Sequence, residues 1–191
     1  MLVGINPYIE DVARRAATEG FVALAPDALY PAGGYPGNDD DGKKMQKALN
    51  RGKIRTDLLN SARYLKAHAL SNGKLGATGF CFGGAVINYL AVQLGSDLQA
   101  GVPFYSRAPK SEDVSKIKAA MLLNYAGNDK RVNATRPGYE AALKANGVTY
   151  EAHSYSGTRH GFHNNSTKRY NEEAANLAWQ RTIAHFKKHL S

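Results

Sequence analysis

Gly79-Phe80-Cys81-Phe82-Gly83-Gly84 is the stretch that most restricts how this chain can fold. Ahead of it, Lys74-Leu75-Gly76-Ala77-Thr78 reads as a short buried strand. After it, Ala85-Val86-Ile87-Asn88-Tyr89-Leu90-Ala91-Val92 reads as the start of a small-residue helix. A strand that turns sharply into a helix at one nucleophilic side chain, with glycine two positions to either side, is the layout of a nucleophile elbow. Such a turn puts the nucleophile in a strained backbone conformation, and side chains at positions 79 and 83 are expected to collide with it. The helix that follows aims its amide end at the reacting atoms, which favours a thiolate and a developing oxyanion. The plain alternative is a buried structural cysteine, which leaves the paired glycines without a reason.

Cys81 is the only cysteine, so no internal disulfide can form, and a reducing, cytoplasmic setting is expected. A length of 191 residues suits one domain, residues 1–191, with a substantial core. No apolar run approaches the ~20 residues of a membrane-spanning helix. Met1-Leu2-Val3-Gly4-Ile5 lacks the basic start and long apolar core of a signal peptide. The charge is basic, 25 Lys plus Arg against 16 Asp plus Glu for a net +9, which raises the question of nucleic acid. The main basic group, Lys43 to Arg55, follows Asp39-Asp40-Asp41, which partly cancels its field. No helix-turn-helix, zinc-finger or aromatic RNA-binding pattern accompanies it. It reads as a solvated helix face, and no nucleic-acid or membrane partner is expected.

Along the chain, helical and apolar stretches alternate. Asn6 is an N-cap candidate, with Pro7 at the first helical position and Glu10 in the first turn. Ile9, Val12, Ala13, Ala16 and Ala17 share a face, and Gly20 ends the helix. Phe21-Val22-Ala23-Leu24-Ala25 reads as a buried strand stopped by Pro26. Helical spacing resumes near Lys43 and runs to His68 with a break at Gly52. Further strands are expected at residues 100–105, 119–125 and 149–155, and helices at 134–145 and 172–189. Strands separated by helices build a mostly parallel α/β sheet with helices on both faces, and ligand sites gather at the carboxyl ends of its strands.

A cysteine nucleophile needs a base, and the base an orienting acid. Asp129 lies just past the Met121 strand, and His160, in Gly157-Thr158-Arg159-His160-Gly161-Phe162, just past the last one. The order Cys81, Asp129, His160 is nucleophile, acid, histidine, as in an α/β-hydrolase. Taken singly, Asp129 could be a turn or capping aspartate and His160 an ordinary loop histidine. Among the other histidines, His153 lies inside a strand, and His68, His185 and His189 belong to helices with surface positions expected. His163 is close enough to His160 to suggest a metal pair, but no cluster supplies further ligands, so no metal site is expected. Gly37 to Lys44 nearly fits a phosphate-binding loop, yet Lys44 replaces the required Ser or Thr and three aspartates would repel phosphate.

The Gly-Phe-Cys-Phe-Gly-Gly run, Asp129 and the run from Gly157 to Phe162 resemble the dienelactone hydrolase family of α/β-hydrolases. Residues 6–15 and Ala23-Leu24-Ala25-Pro26-Asp27 extend the likeness to essentially the whole chain, with the uncharacterised bacterial branch most similar. The resemblance implies a hydrolase of small-molecule esters or lactones, carboxymethylenebutenolidase-like, that needs no cofactor. In it Cys81 is the nucleophile, His160 the base and Asp129 its holder. The backbone amides of Phe82 and Leu2 form the oxyanion hole. Three departures stand out. Family members carry strands before the point where this chain begins, so an N-terminally truncated sheet is expected. Met1 stands where dienelactone enzymes have a glutamate, and Asn164 where they have a substrate-binding arginine. The competing expectation is a truncated, weakly active or inactive remnant that acts only through association, whether self-association or pairing with a missing N-terminal segment.

Overall fold

The structure, a computed structural model, describes residues 4–191. The chain divides into two compact units, Met1–Gly73 and Lys74–Ser191. In the first, α1 spans Pro7–Thr18, and Asn6 Oδ1 accepts from the Ile9 N–H at 3.0 Å, the expected cap. Tyr8 and Val12 are its buried residues, while Ala17 is exposed. Helix α2 spans Asp39–Ala48 and α3 spans Arg51–Ala67. The break between them falls at Leu49-Asn50, not at Gly52. Asn50 caps the new helix by accepting from the amides of Gly52 and Lys53, so Gly52 starts a helix rather than ending one. The three aspartates occupy the first turn of α2, where Asp40 and Asp41 pair with Lys43 and Lys44 at 2.7 and 2.6 Å. Those exposed pairs stabilise little, because water screens them, but they neutralise the basic run locally.

Residues 21–25 are not a strand. They join no ladder among the described residues, and Val22 and Leu24 stay 42 % and 43 % exposed. An apolar run becomes a strand only when neighbouring chain meets its N–H and C=O groups, and that condition is invisible locally.

The second unit carries the sheet: β1 (Gly76–Phe80), β2 (Ala100–Phe104), β3 (Ala120–Ala126) and β4 (Tyr150–Tyr155). All neighbours are parallel, in the order β1-β2-β3-β4. Strands β2 and β3 are buried throughout, as continuous apolar runs covered on both faces should be. Helices α4 (Phe82–Leu94), α5 (Lys130–Asn133), α6 (Arg136–Ala145) and α7 (Glu172–Leu190) complete the alternation. Side chains alternate across a strand, so the glycines of β1 show which helix covers which face. A Cβ on Gly76 would meet Leu190 and Phe186 of α7, whereas one on Gly79 would meet the backbone of α4. Odd spacing therefore places α4 and α7 on opposite faces. His185 of α7, expected at the surface, is buried, with its Nε2 3.1 Å from the Ala120 carbonyl oxygen. Sequence periodicity alone did not separate this inward position from the outer face of α7. Among the described residues no helix is long and apolar enough to cross a membrane.

Candidate active site

Strand pairing delivers three loops to the same end of the sheet. At the end of β1, the Cys81 amide donates to the Phe104 carbonyl of β2 at 3.1 Å, and the Tyr105 amide donates to Asn124 of β3 at 2.7 Å. Between β3 and β4 the lacing continues past the last ladder pair, Ala126 with Tyr155. Gly127 donates to the Tyr155 carbonyl at 2.9 Å and Asn128 to the Thr158 carbonyl at 2.8 Å. A Cβ on Gly127 would stand 2.7 Å from the Tyr155 oxygen, so only glycine permits this approach. Asp129 and His160 consequently leave the sheet side by side.

Cys81 stands at the N-cap of α4 with φ 58 and ψ −112, a positive φ that a residue with a Cβ adopts only under strain. The flanking glycines have unequal reasons. A Cβ on Gly79 would lie 2.5 Å from the Gly83 carbonyl oxygen, and one on Gly84 2.7 Å from the Phe104 oxygen. Around Gly83 nothing among the described residues comes within 4 Å. The symmetric crowding expected from the sequence is thus corrected: the glycines at 79 and 84 are required sterically and the one at 83 is not. Gly79→Ala is expected to cost about 3 kcal/mol or more, since the clash is with backbone and cannot be relieved by a side-chain rotation. Gly83→Ala should change the melting temperature by no more than ~2 °C. Thermal denaturation of the two variants checks this, and equal destabilisation would refute the asymmetry.

His160 joins the other two groups. Its Nδ1 lies 2.5 Å from Oδ2 of Asp129, and its side chain is hydrogen-bonded to the Cys81 thiol. Asp129 is only 7 % exposed. Its other oxygen, Oδ1, accepts from the Val132 amide at 3.3 Å, so the carboxylate both caps the short helix α5 and holds the imidazole. One residue thus makes both the capping contact and the contact to His160.

Proton affinities follow from these contacts. Burial is the largest single influence on Cys81 and works against its ionisation, but the hydrogen bond to His160 and the positive charge nearby together outweigh it, and the thiol titrates low, at about 6. For His160 the hydrogen bond to Cys81 raises the pKa most, burial opposes it, and Asp129 raises it further. The two shifts run in the directions that favour a thiolate–imidazolium pair, and they belong to the pair rather than to either residue.

The other histidines go elsewhere. His153, in β4, has Nε2 3.6 Å from a Glu151 oxygen. His163 is buried among aromatic rings. No group of three His, Cys, Asp or Glu side chains among the described residues could hold a metal ion. Of the two backbone donors expected for an oxyanion, Phe82 opens α4, where the first amides have no helical partner. Leu2 lies outside the described residues. Sequence reasoning missed Tyr105, which is 2 % exposed, has φ 34, and packs its ring centroid 5.0 Å from that of His160. It followed an apolar strand and read as part of it, with no local signal of the positive φ.

Comparison with known proteins agrees with this parallel sheet and its helices. The sequence model of the Dienelactone hydrolase family matches residues 2–190. The chain belongs to the dienelactone hydrolase family. It is thus a dienelactone hydrolase-like hydrolase with an α/β-hydrolase-type sheet. It is 30 % identical to the protein named "Putative carboxymethylenebutenolidase" of Saccharolobus solfataricus, over 93 % of this chain and 82 % of the relative. It is 34 % identical to "Protein usf" of Aquifex pyrophilus, over 96 % and 81 %. Among solved structures, the "Putative Dienelactone Hydrolase" of Klebsiella pneumoniae superposes with a TM-score of 0.84 at 26 % identity, over 98 % of this chain and 83 % of that one.

Proposed function

We propose that this member of the family hydrolyses ester or lactone bonds of small molecules, with Cys81 as nucleophile, His160 as proton carrier and Asp129 as the group that holds and stabilises the imidazolium. The observation that carries the reading is the single imidazole hydrogen-bonded on one side to a thiol at a strained elbow and on the other to a buried carboxylate. The Cys81 thiolate adds to the carbonyl carbon, and the oxyanion rests on the Phe82 amide at the positive end of α4. The carbonyl re-forms as the C–O bond to the leaving group breaks. The leaving alkoxide takes the proton of His160 Nε2, leaving a thioester on Cys81. Water then gives a proton to Nε2 as its oxygen adds to the thioester carbonyl. Collapse breaks the C–S bond, releases the acid and restores the thiolate–imidazolium pair. In a lactone the leaving alkoxide stays tethered to the acyl group and is freed as the hydroxy acid. The intact relay supports catalysis over a remnant that acts only through association.

Alkylation tests the reading, because the chain has one cysteine. Iodoacetamide should remove hydrolysis of p-nitrophenyl acetate in step with modification of Cys81. Since only the thiolate reacts, the modification rate should rise with pH through a midpoint at about 6, rather than at the ~8.5 of an ordinary thiol. His160→Ala should move that midpoint upward. Esterase activity that survives full alkylation would end the proposal.

A further inference from the structure

His163 is a buried titratable side chain that the chemistry above does not use. Its ring stacks on Phe80, with centroids 4.9 Å apart and planes 26° from parallel, and meets Phe104 edge-on at 5.1 Å. Trp179 of α7 closes a third side at 6.0 Å. Phe80 is the last residue before the strained Cys81, and His163 comes three residues after His160. The intervening turn is tight. Phe162 donates to the Arg159 carbonyl at 3.0 Å, Asn164 to Gly161 at 3.1 Å, and Asn171 donates to Phe162 at 3.0 Å. Phe162 is itself fully buried, packed against Tyr155 at 5.0 Å and Tyr105 at 5.5 Å. A segment held this way moves as one piece, so whatever places His163 also places His160.

We propose that His163 is a positioning residue whose planar ring, stacked on Phe80, fixes the separation between Cys81 and His160. The inference rests on the roles given above to those two residues. Without the stack, the β1 end and the turn bearing the imidazole would be joined by the Cys81–His160 hydrogen bond itself and by the β2 and β3 loops between them. Misplacement of a reacting group by ~1 Å can cost about 100-fold in rate, so modest slack is enough to matter. The requirement is for a flat ring of the right thickness, since the rings of Phe80, Phe104 and Trp179 pack around it.

The test compares His163→Phe with His163→Leu in the full chain. The Leu variant fills similar volume without a flat face. It should lose about tenfold or more in kcat for p-nitrophenyl acetate at nearly unchanged KM. Its Cys81 alkylation midpoint should rise from about 6 toward the ordinary ~8.5. The Phe variant should keep both within about threefold and a few tenths of a pH unit of the parent, because the stack survives. Trp179, the only tryptophan, reports by its emission whether the cage stays packed. A folded Leu variant with unchanged kcat and midpoint overturns the inference, as does a Phe variant as impaired as the Leu one. If the Leu variant does not fold, Phe80→Leu removes the stack from the other side and must show the same losses. Loss of fold in both makes the stack structural and also overturns the positioning role. The alkylation midpoint is read without turnover. A parent chain with no esterase activity but a stack-dependent midpoint would therefore sink the proposed function alone.

Discussion

Cys81→Ala is expected to lower hydrolysis of small activated esters by roughly 10⁴-fold or more, the scale on which removal of a nucleophile acts when the relay is a unit. The fold should survive. Cys81 is part-buried at a tight turn whose φ already tolerates a Cβ, and alanine keeps that Cβ while removing only the sulfur. Cys81→Ser is the more telling change. A hydroxyl cannot be ionised by this imidazole to any useful extent in the resting enzyme, so it needs His160 to take its proton during attack. Residual turnover in the Ser variant, lost again on adding His160→Ala, would establish that His160 and Asp129 act as a base relay. Steady-state hydrolysis with a purified Cys81→Ala control distinguishes the outcomes. Unchanged hydrolysis in that control would place the activity outside this site.

The second large effect is expected at Asp129. Asparagine at this position keeps an oxygen for the Val132 amide, so the cap on α5 should hold, but it removes the negative charge 2.5 Å from His160 Nδ1. The imidazolium loses its stabilisation, and the thiolate that depends on it becomes harder to form. A fall of about 10²–10⁴ in kcat is expected from the charge and orientation together. The sign of the pH effect is fixed as well. Loss of Asp129 lowers the His160 pKa, which raises that of Cys81, so the alkylation midpoint should move upward from about 6. Asp129→Ala should add a stability loss of ~1 kcal/mol for the missing cap, visible in denaturant titration but absent from the Asn variant. An Asn variant with parental rate and midpoint would show that the carboxylate serves the helix alone.

Much of this was legible in the order of residues, because the signals are local. Asn6-Pro7 starts α1 where a capping side chain and a proline without an amide should. The elbow was readable because strain at one residue must be relieved by glycine nearby, although the glycine at 83 proved to have open space around it among the described residues. The three loops bearing Cys81, Asp129 and His160 could be assigned to strand ends because alternation of apolar runs and helices locates those ends along the chain.

What the chain alone did not decide depends on partners distant in sequence. Residues 21–25 have strand composition, but a ladder is made by a neighbour, and no described residue provides one. Histidines show the same limit. His153, His160, His163 and His185 are equivalent as residue types, and only packing sends one to a glutamate, one to the thiol and carboxylate, one into an aromatic cage and one to a backbone carbonyl. Tyr105 enters the site because β2 ends between the strands that lead to Cys81 and Asp129. Local conformational preference reaches only a few residues along the chain, so it could set the elbow, the caps and the strand ends. Which side chains meet at those ends was decided by sheet register and helix packing, because those bring together groups separated by 31 residues for Asp129 and His160 and by more for Cys81.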